Sequence, residues 1–280
     1  MAGNLGFFRS NTDIGQNFLK DASVAEWMAG RAGITQSDAV LEIGPGMGIL
    51  TREILRSQCA RLYAIELDVR LERYLAPLAE SDDRLVLHWA DAVRFNYAGL
   101  SPPPAKVIAN LPYHITTPVI WALLENLSGG DMRYMLLMTQ REAAIRLASG
   151  AGSRDSGPLS VTLSALGETK TARNVSRGAF LPMPRVESSI VEIKISNEHA
   201  GRAGIPRDRT WRRLLAGSFG QRRKTLVRSW AGAFHIERNE CLDILSAHGL
   251  PPRSRPEELG VDAWLSLFGD KKMKDFITNA

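Results

Sequence analysis

Leu41-Glu42-Ile43-Gly44-Pro45-Gly46-Met47-Gly48 is the stretch on which the fold turns. The apolar run Ala39–Ile43 ends in glycines spaced G-x-G-x-G, and a helical pattern, Ile49–Ser57, starts directly behind them. Glycine lets a backbone turn tightly and approach a ligand with no Cβ in the way. A dinucleotide fingerprint needs a third glycine at position 49, where close packing against the pyrophosphate depends on it. Ile49 stands there instead, which disfavours a nicotinamide or flavin.

Outward from this loop, short apolar runs recur at Leu62–Ile65, Leu85–His88, Lys106–Ala109 and Tyr134–Met138. Helical patterns at Val69–Ala79, Pro118–Leu127 and Arg141–Ser149 lie among them, and Ala22–Arg31 adds a helix upstream. Strands alternating with helices predict an α/β fold with a parallel, doubly wound sheet. Thr171–Val175 and Ser189–Ile195 follow the Gly/Ser-rich loop Gly150–Gly157 and are expected to pair as an antiparallel hairpin at the sheet edge. Near Ser196–Pro206 the composition shifts to Gly, Ala, Arg and Pro, as in a linker. Helical periodicity follows at Trp211–Ser229, Asn239–His248 and Asp262–Phe268. The expected division is therefore residues 1–198 as the sheet domain and 199–280 as a small helical one.

The net charge of +5 is unevenly placed. Residues 1–198 hold 20 basic and 21 acidic side chains, whereas 199–280 hold 15 and 9. Arg202 to Arg228 alone carries nine basic residues against Asp208. A clustered basic face suits a phosphate backbone, although a solvated surface would look the same on charge alone. No apolar run approaches the ~18 residues that a membrane helix needs. The start of the chain lacks an apolar secretory core. Two distant cysteines, Cys59 and Cys241, give neither a disulfide framework nor a metal site, so a reducing cytoplasm is expected and no metal.

Three further strand ends carry chemistry. Glu66, about twenty residues after the glycines, can accept both hydroxyls of a ribose, and Asp91 can accept from the exocyclic amine of an adenine. In an open α/β sheet these ends converge on one crevice. Asn110-Leu111-Pro112-Tyr113 follows the fourth strand. An adenine N6 amine is a poor nucleophile because its lone pair is delocalised into the ring. Acceptors on its two hydrogens, supplied by the Asn110 side-chain oxygen and the Leu111 carbonyl, would draw the nitrogen towards a tetrahedral, nucleophilic state. Pro112 fixes the turn, and Tyr113 offers a face for an extruded base. A polar turn capping the next helix explains Thr117 and Pro118 but not the whole run.

Gln16-Asn17-Phe18-Leu19 places a polar side chain beside an aromatic where it could close over a ligand. Phe180-Leu181-Pro182-Met183-Pro184-Arg185-Val186 is a proline-braced loop; Phe180 could stack on the second face of a base, with Arg185 near a phosphate. Arg222, Arg223 and Lys224, within a helix-like segment, offer three adjacent cations to a curved backbone.

These motifs, Q-N-F-L (16–19), L-E-I-G-P-G-M-G (41–48), A-I-E-L-D (64–68), D-A (91–92), N-L-P-Y (110–113), F-L-P-M-P-R-V-E-S (180–188) and F-G-Q-R-R-K-T-L (219–226), resemble in order those of the ribosomal RNA adenine dimethylases. The resemblance implies a Rossmann-like class I methyltransferase domain dependent on S-adenosylmethionine, with a small all-α C-terminal domain. It implies Asn17, Leu19, Gly44, Gly46, Glu66, Asp91 and Asn110 at the cofactor, and Asn110, Leu111, Pro112, Tyr113 and Phe180 at the target adenine. Two adjacent adenines near the 3′ end of small-subunit rRNA, within a pre-30S particle, are the implied substrate, and a monomer the expected form. Three positions depart from the family pattern: His114 replaces a second Asn, Ser156-Gly157-Pro158 lacks a tyrosine, and Arg185 replaces a lysine. Erm-type enzymes acting on large-subunit rRNA, and methyltransferase-like proteins that only bind RNA as assembly or transcription factors, are the alternatives.

Overall fold

The computed structural model describes residues 16–196, 201–221 and 223–280. Five parallel strands, β2 (Ala39–Ile43), β3 (Arg61–Glu66), β4 (Leu85–Trp89), β5 (Lys106–Asn110) and β6 (Tyr134–Gln140), form most of one sheet. The expected hairpin is present and longer than its apolar core suggested. It pairs β7 (Gly167–Val175) antiparallel with β9 (Ser188–Ile195), and β9 in turn pairs antiparallel with β6. The strand order β4-β3-β2-β5-β6-β9-β7 makes β2 and β5 neighbours although two strand–helix units separate them in the chain. There the winding reverses, and an α/β sheet opens a crevice at such a point. A separate pair, β1 (Phe18–Leu19) with β8 (Phe180–Leu181), joins two motifs more than 160 residues apart.

Alternate strand residues enter opposite cores, as the two-residue period requires. Leu41, Ile43, Ile65 and Val107 pack with α4 (Thr116–Leu127) on one face. Val40, Leu62, Ala64 and Ile108 pack with α1 (Ala22–Arg31) and α2 (Ile49–Arg56) on the other. Both faces are covered, so these strands read as largely apolar runs, with Glu42 the exception inside β2.

The third core gathers α7 (Arg209–Phe219), α8 (Leu226–Phe234), α9 (Arg238–Ala247), α10 (Val261–Gly269) and α11 (Lys271–Asn279). It also takes in Val161 and Ala165 of α6 (Pro158–Leu166), a helix the periodicity did not reveal. Fully buried Trp211 donates from its indole Nε1 to the Thr162 hydroxyl at 2.9 Å. Arg207 donates to the carbonyls of Asn126 and Ser128 at the end of α4. Arg212 pairs with Glu125 and lies 4.7 Å from the Trp121 ring centre. Two members of the basic run thus hold the helical unit against the sheet unit.

The expected helix Trp211–Ser229 is two helices. α7 ends at Phe219, a turn closes where the Lys224 amide donates to the Gln221 carbonyl, and α8 restarts after Thr225. Arg223 and Lys224 therefore stand exposed in a turn rather than along a helix, and Arg222 lies outside the described residues. Among the described residues no helix is long and apolar enough to cross a membrane, and no group of His, Cys, Asp or Glu is placed to hold a metal ion.

Gly217, inside α7, makes the packing of α7 on α8 directly testable. A Cβ there would lie 2.8 Å from Cε1 of Phe234 and 3.0 Å from Cβ of Ala233. Helix propensity favours Gly217→Ala by ~1 kcal/mol, but forcing a methyl against the Phe234 ring costs roughly 1–3 kcal/mol. Denaturant unfolding of this variant is expected to show a net loss of stability; a gain would contradict the packing.

Candidate functional site

A cavity of about 400 Å³ opens at the carboxyl ends of β2, β3, β4 and β5, within the range of small-molecule sites. Its floor is the glycine loop. Gly44, Gly46 and Gly48 have φ of +70°, +59° and +78°, a region that admits side chains only with strain. A Cβ on Gly46 would lie 3.0 Å from the Phe18 ring, so the N-terminal segment packs directly onto this loop.

Glu66 holds the loop to the sheet. One carboxylate oxygen accepts the Gly46 N–H at 3.2 Å and the other accepts the Asp68 N–H at 2.9 Å. A carboxylate has about four lone-pair sites, so each oxygen can still accept a hydroxyl from a ligand. Burial pushes the Glu66 carboxyl above its usual range, with the backbone donors opposing. Asp91 lines the same wall, accepting the Val93 N–H at 2.8 Å.

The N-terminal segment is tied down at both sides of the cavity. Gln16 donates to Asp68 at 2.9 Å. Asp68 is also clamped by the Arg70 guanidinium, whose hydrogen bonds hold its carboxyl down at about 2. Asn110 donates from Nδ2 to the Asn17 carbonyl at 3.3 Å, which leaves the amide oxygen as the free end. Leu111 buries its side chain and anchors the turn through its N–H on the Met138 carbonyl at 3.0 Å. Pro112 accepts from the Ile115 N–H, closing the turn that presents Tyr113, and the exposed His114 stands beside it on the rim.

Asn17, Leu19, Gly44, Gly46, Glu66, Asp91, Asn110, Leu111, Pro112 and Tyr113 all line this cavity. Phe180 does not. Its ring is 1% exposed, packed with Val175, Ala179 and Ile190 in the core beneath β8, so it has no free face for a base. The β1–β8 pairing draws it inward and leaves Leu181, Met183 and Val186 exposed in its place. Arg185 is exposed on the same loop.

Glu42 is the residue that sequence reading passed over. It is 1% exposed, lines the cavity, and neither carboxylate oxygen has a hydrogen-bond partner within the protein. Burial pushes its carboxyl up to about 8; nearby Thr51 offsets part of that, though out of hydrogen-bonding geometry, and Glu66 adds to it. An acid in a strand otherwise apolar, two residues before the first glycine, is the available signal. Acceptors at buried Glu42 and Glu66 and at the partly exposed Asp91, with apolar Ile65, Leu67 and Ala92 between them, fit a ligand carrying a cationic amine, hydroxyls and a flat heterocycle. S-adenosylmethionine has those groups.

Over residues 7–269 the sequence matches the ribosomal RNA adenine dimethylase family. It is 37% identical over 261 residues to the ribosomal RNA small subunit methyltransferase A of Rubrobacter xylanophilus, covering 93% of this chain and 94% of that one. The protein of the same name from Halothermothrix orenii is 37% identical over 256 residues, covering 89% and 83%. Among solved structures, a dimethyladenosine transferase from Plasmodium falciparum superposes with a TM-score of 0.77 at 24% identity, over 92% of this chain and 98% of that one. The 23S rRNA methyltransferase ErmE gives 0.63 at 24% identity, over 92% and 100%. At that identity the two structures establish the shared fold alone.

The unpartnered Glu42 has a pH signature. Its folded pKa is raised, so the stability it permits is fully present below about 4.5 and is lost as pH rises towards about 8. Glu42→Gln has no such loss. In ligand-free protein, the melting temperature of E42Q relative to wild type is expected to climb between pH 5 and pH 8; a constant difference would contradict the assignment.

Proposed function

The chain belongs to the ribosomal RNA adenine dimethylase family, and from that premise we propose that it methylates N6 of two adjacent adenines in the 3′-terminal hairpin loop of 16S rRNA. S-adenosylmethionine is its cofactor, supplying a methyl group already activated on a sulfonium. The observation that carries the reading is the Asn110 amide, tied through its nitrogen to Asn17 and so free to turn its oxygen on a ligand at the cavity rim.

The protein's task is then placement. Glu66 and Asp91 accept from the ribose and adenine of the cofactor, and the Gly44–Gly48 turn lets the backbone come close to it. The Asn110 oxygen and the Leu111 carbonyl accept the two N6 hydrogens of the target base, drawing the nitrogen lone pair out of the ring. Tyr113 stacks on that base. Holding the amine in line at van der Waals distance accounts for most of the rate, because positioned reactants escape the entropy of encounter. No residue need remove a proton before attack.

The exposed cations Arg185, Arg223 and Lys224 would contact phosphates flanking the extruded base, with residues 199–280 as the basic helical domain. A pre-30S particle in the cytoplasm is the setting this reading requires, with the protein acting as a monomer. Glu66, Asp91 and Asn110 are all in place around one cavity, which favours an enzyme over a protein that only binds RNA.

Asn110→Ala removes an acceptor that acts on the amine during transfer. Single-turnover methylation of small-subunit RNA is expected to fall by about 10²-fold or more, as when other preorganised transition-state contacts are lost. Cofactor affinity, measured by calorimetry, should fall by far less than turnover, because Glu66, Asp91 and the glycine turn are untouched. Near-normal turnover would remove Asn110 from the mechanism.

A further inference from the structure

The last residue of the F-L-P-M-P-R-V-E-S run has no role in the reaction as described so far. Ser188 is 0% exposed, and its hydroxyl lies 2.7 Å from the Tyr113 hydroxyl. A buried hydroxyl at the start of an apolar strand carries a desolvation cost unless it is hydrogen-bonded, and Tyr113 supplies the bond. The geometry points to Ser188 as a positioning residue that sets the ring plane of Tyr113 and thereby the stacking site of the target adenine. This rests on the reading that Tyr113 stacks on that base.

Three observations support it. First, Ser188 cannot drift: its strand is paired on both sides, opposite Gln140 on β6 and opposite Val175 on β7. The hydroxyl is thus mounted on the interior of a seven-stranded sheet. Second, Tyr113 needs such an anchor. It belongs to a single short turn, and it is half-buried on the cavity rim. A phenol is neutral at physiological pH, so an O–H is available to share with Ser188, and burial pushes its pKa further up. Third, the loop leading to Ser188 is fastened at both ends. Phe180 is buried in the core that also contains Ile190, two residues along β9 from Ser188 and on the same face. The Arg141 N–H donates to the Glu187 carbonyl at 3.0 Å, and the Arg141 guanidinium pairs with the Glu187 carboxylate at 3.0 Å. The buried Phe180 thus serves the site indirectly: it fixes the strand end whose serine holds the stacking tyrosine.

Ser188 and Tyr113 should therefore act as one unit, which a double-mutant cycle reads directly. Ser188→Ala, Tyr113→Phe and the double variant are compared with wild type, using labelled S-adenosylmethionine and undermethylated small subunits. Each single variant is expected to lower kcat roughly three- to tenfold, the scale of one lost hydrogen bond, with the KM for S-adenosylmethionine unchanged. The double variant should be no slower than either single one, because the hydroxyl pair is already broken in both. Thermal melts check folding; Tyr113→Phe, at a half-buried position, carries the test if Ser188→Ala is unstable. Wild-type kcat in either single variant, or losses that multiply in the double variant, would overturn the positioning role while leaving the proposed function standing. Absence of label with wild-type protein would overturn both.

Discussion

The parallel pairing of β2 with β3 on one side and β5 on the other decides where every reactive group stands. Parallel strands end together, so the glycine turn, Glu66 and Asn110 emerge at one level along one edge of the sheet. The Gly44 N–H extends this ladder by donating to the Ile65 carbonyl at 2.9 Å. A shift of one residue in either pairing would turn each strand's side chains to the other face. The cavity would then lose its acids to the cores and gain apolar side chains in their place. Burial of Leu41, Ile43, Ile65 and Val107 on one face, and Val40, Leu62, Ala64 and Ile108 on the other, holds the register against that slip.

Upon that edge the molecule spends stability for function. Glu42 and Glu66 are carboxyl groups held in a largely apolar cavity, and both are pushed towards their protonated forms. A well-packed hydrophobe at position 42 would suit a protein that only needed to fold. The N-terminal segment offsets part of the exposure at the cavity mouth through three separate ties: Gln16 to Asp68, Asn17 to Asn110, and the β1–β8 pair. The last of these links the cofactor side of the site to the loop that ends at Ser188, so the segment that roofs the cavity and the strand that steadies Tyr113 are mechanically one assembly.

Much of this was legible in the sequence because the signals were local. Apolar runs bounded by turn residues located every strand of the parallel sheet, and the glycine turn located the switch point. What escaped was set by long-range packing. An aromatic in a proline-braced loop, such as Phe180, reads from sequence as presented to a base. Its pairing with Leu19, across more than 160 residues, buries it instead. The helix α6 is buried on nearly all sides, with Ser160 and Thr162 among its buried residues, because the sheet unit and the C-terminal core both pack on it, and so it lacks the one-sided apolar stripe that marks a surface helix. The break between α7 and α8 was hidden by the strongly basic, helix-favouring composition of Gln221–Lys224. Within the basic run, charge counting could not separate Arg207 and Arg212, which brace the two units, from Arg223 and Lys224, which face solvent.

The central claim is that this arrangement methylates adenine N6 in small-subunit RNA. The direct test incubates the protein with labelled S-adenosylmethionine and, in parallel, undermethylated small subunits and large subunits, then identifies the labelled nucleosides by mass spectrometry. Dimethyladenosine is expected in the small-subunit RNA alone; label in the large-subunit RNA, or in neither, would contradict this assignment.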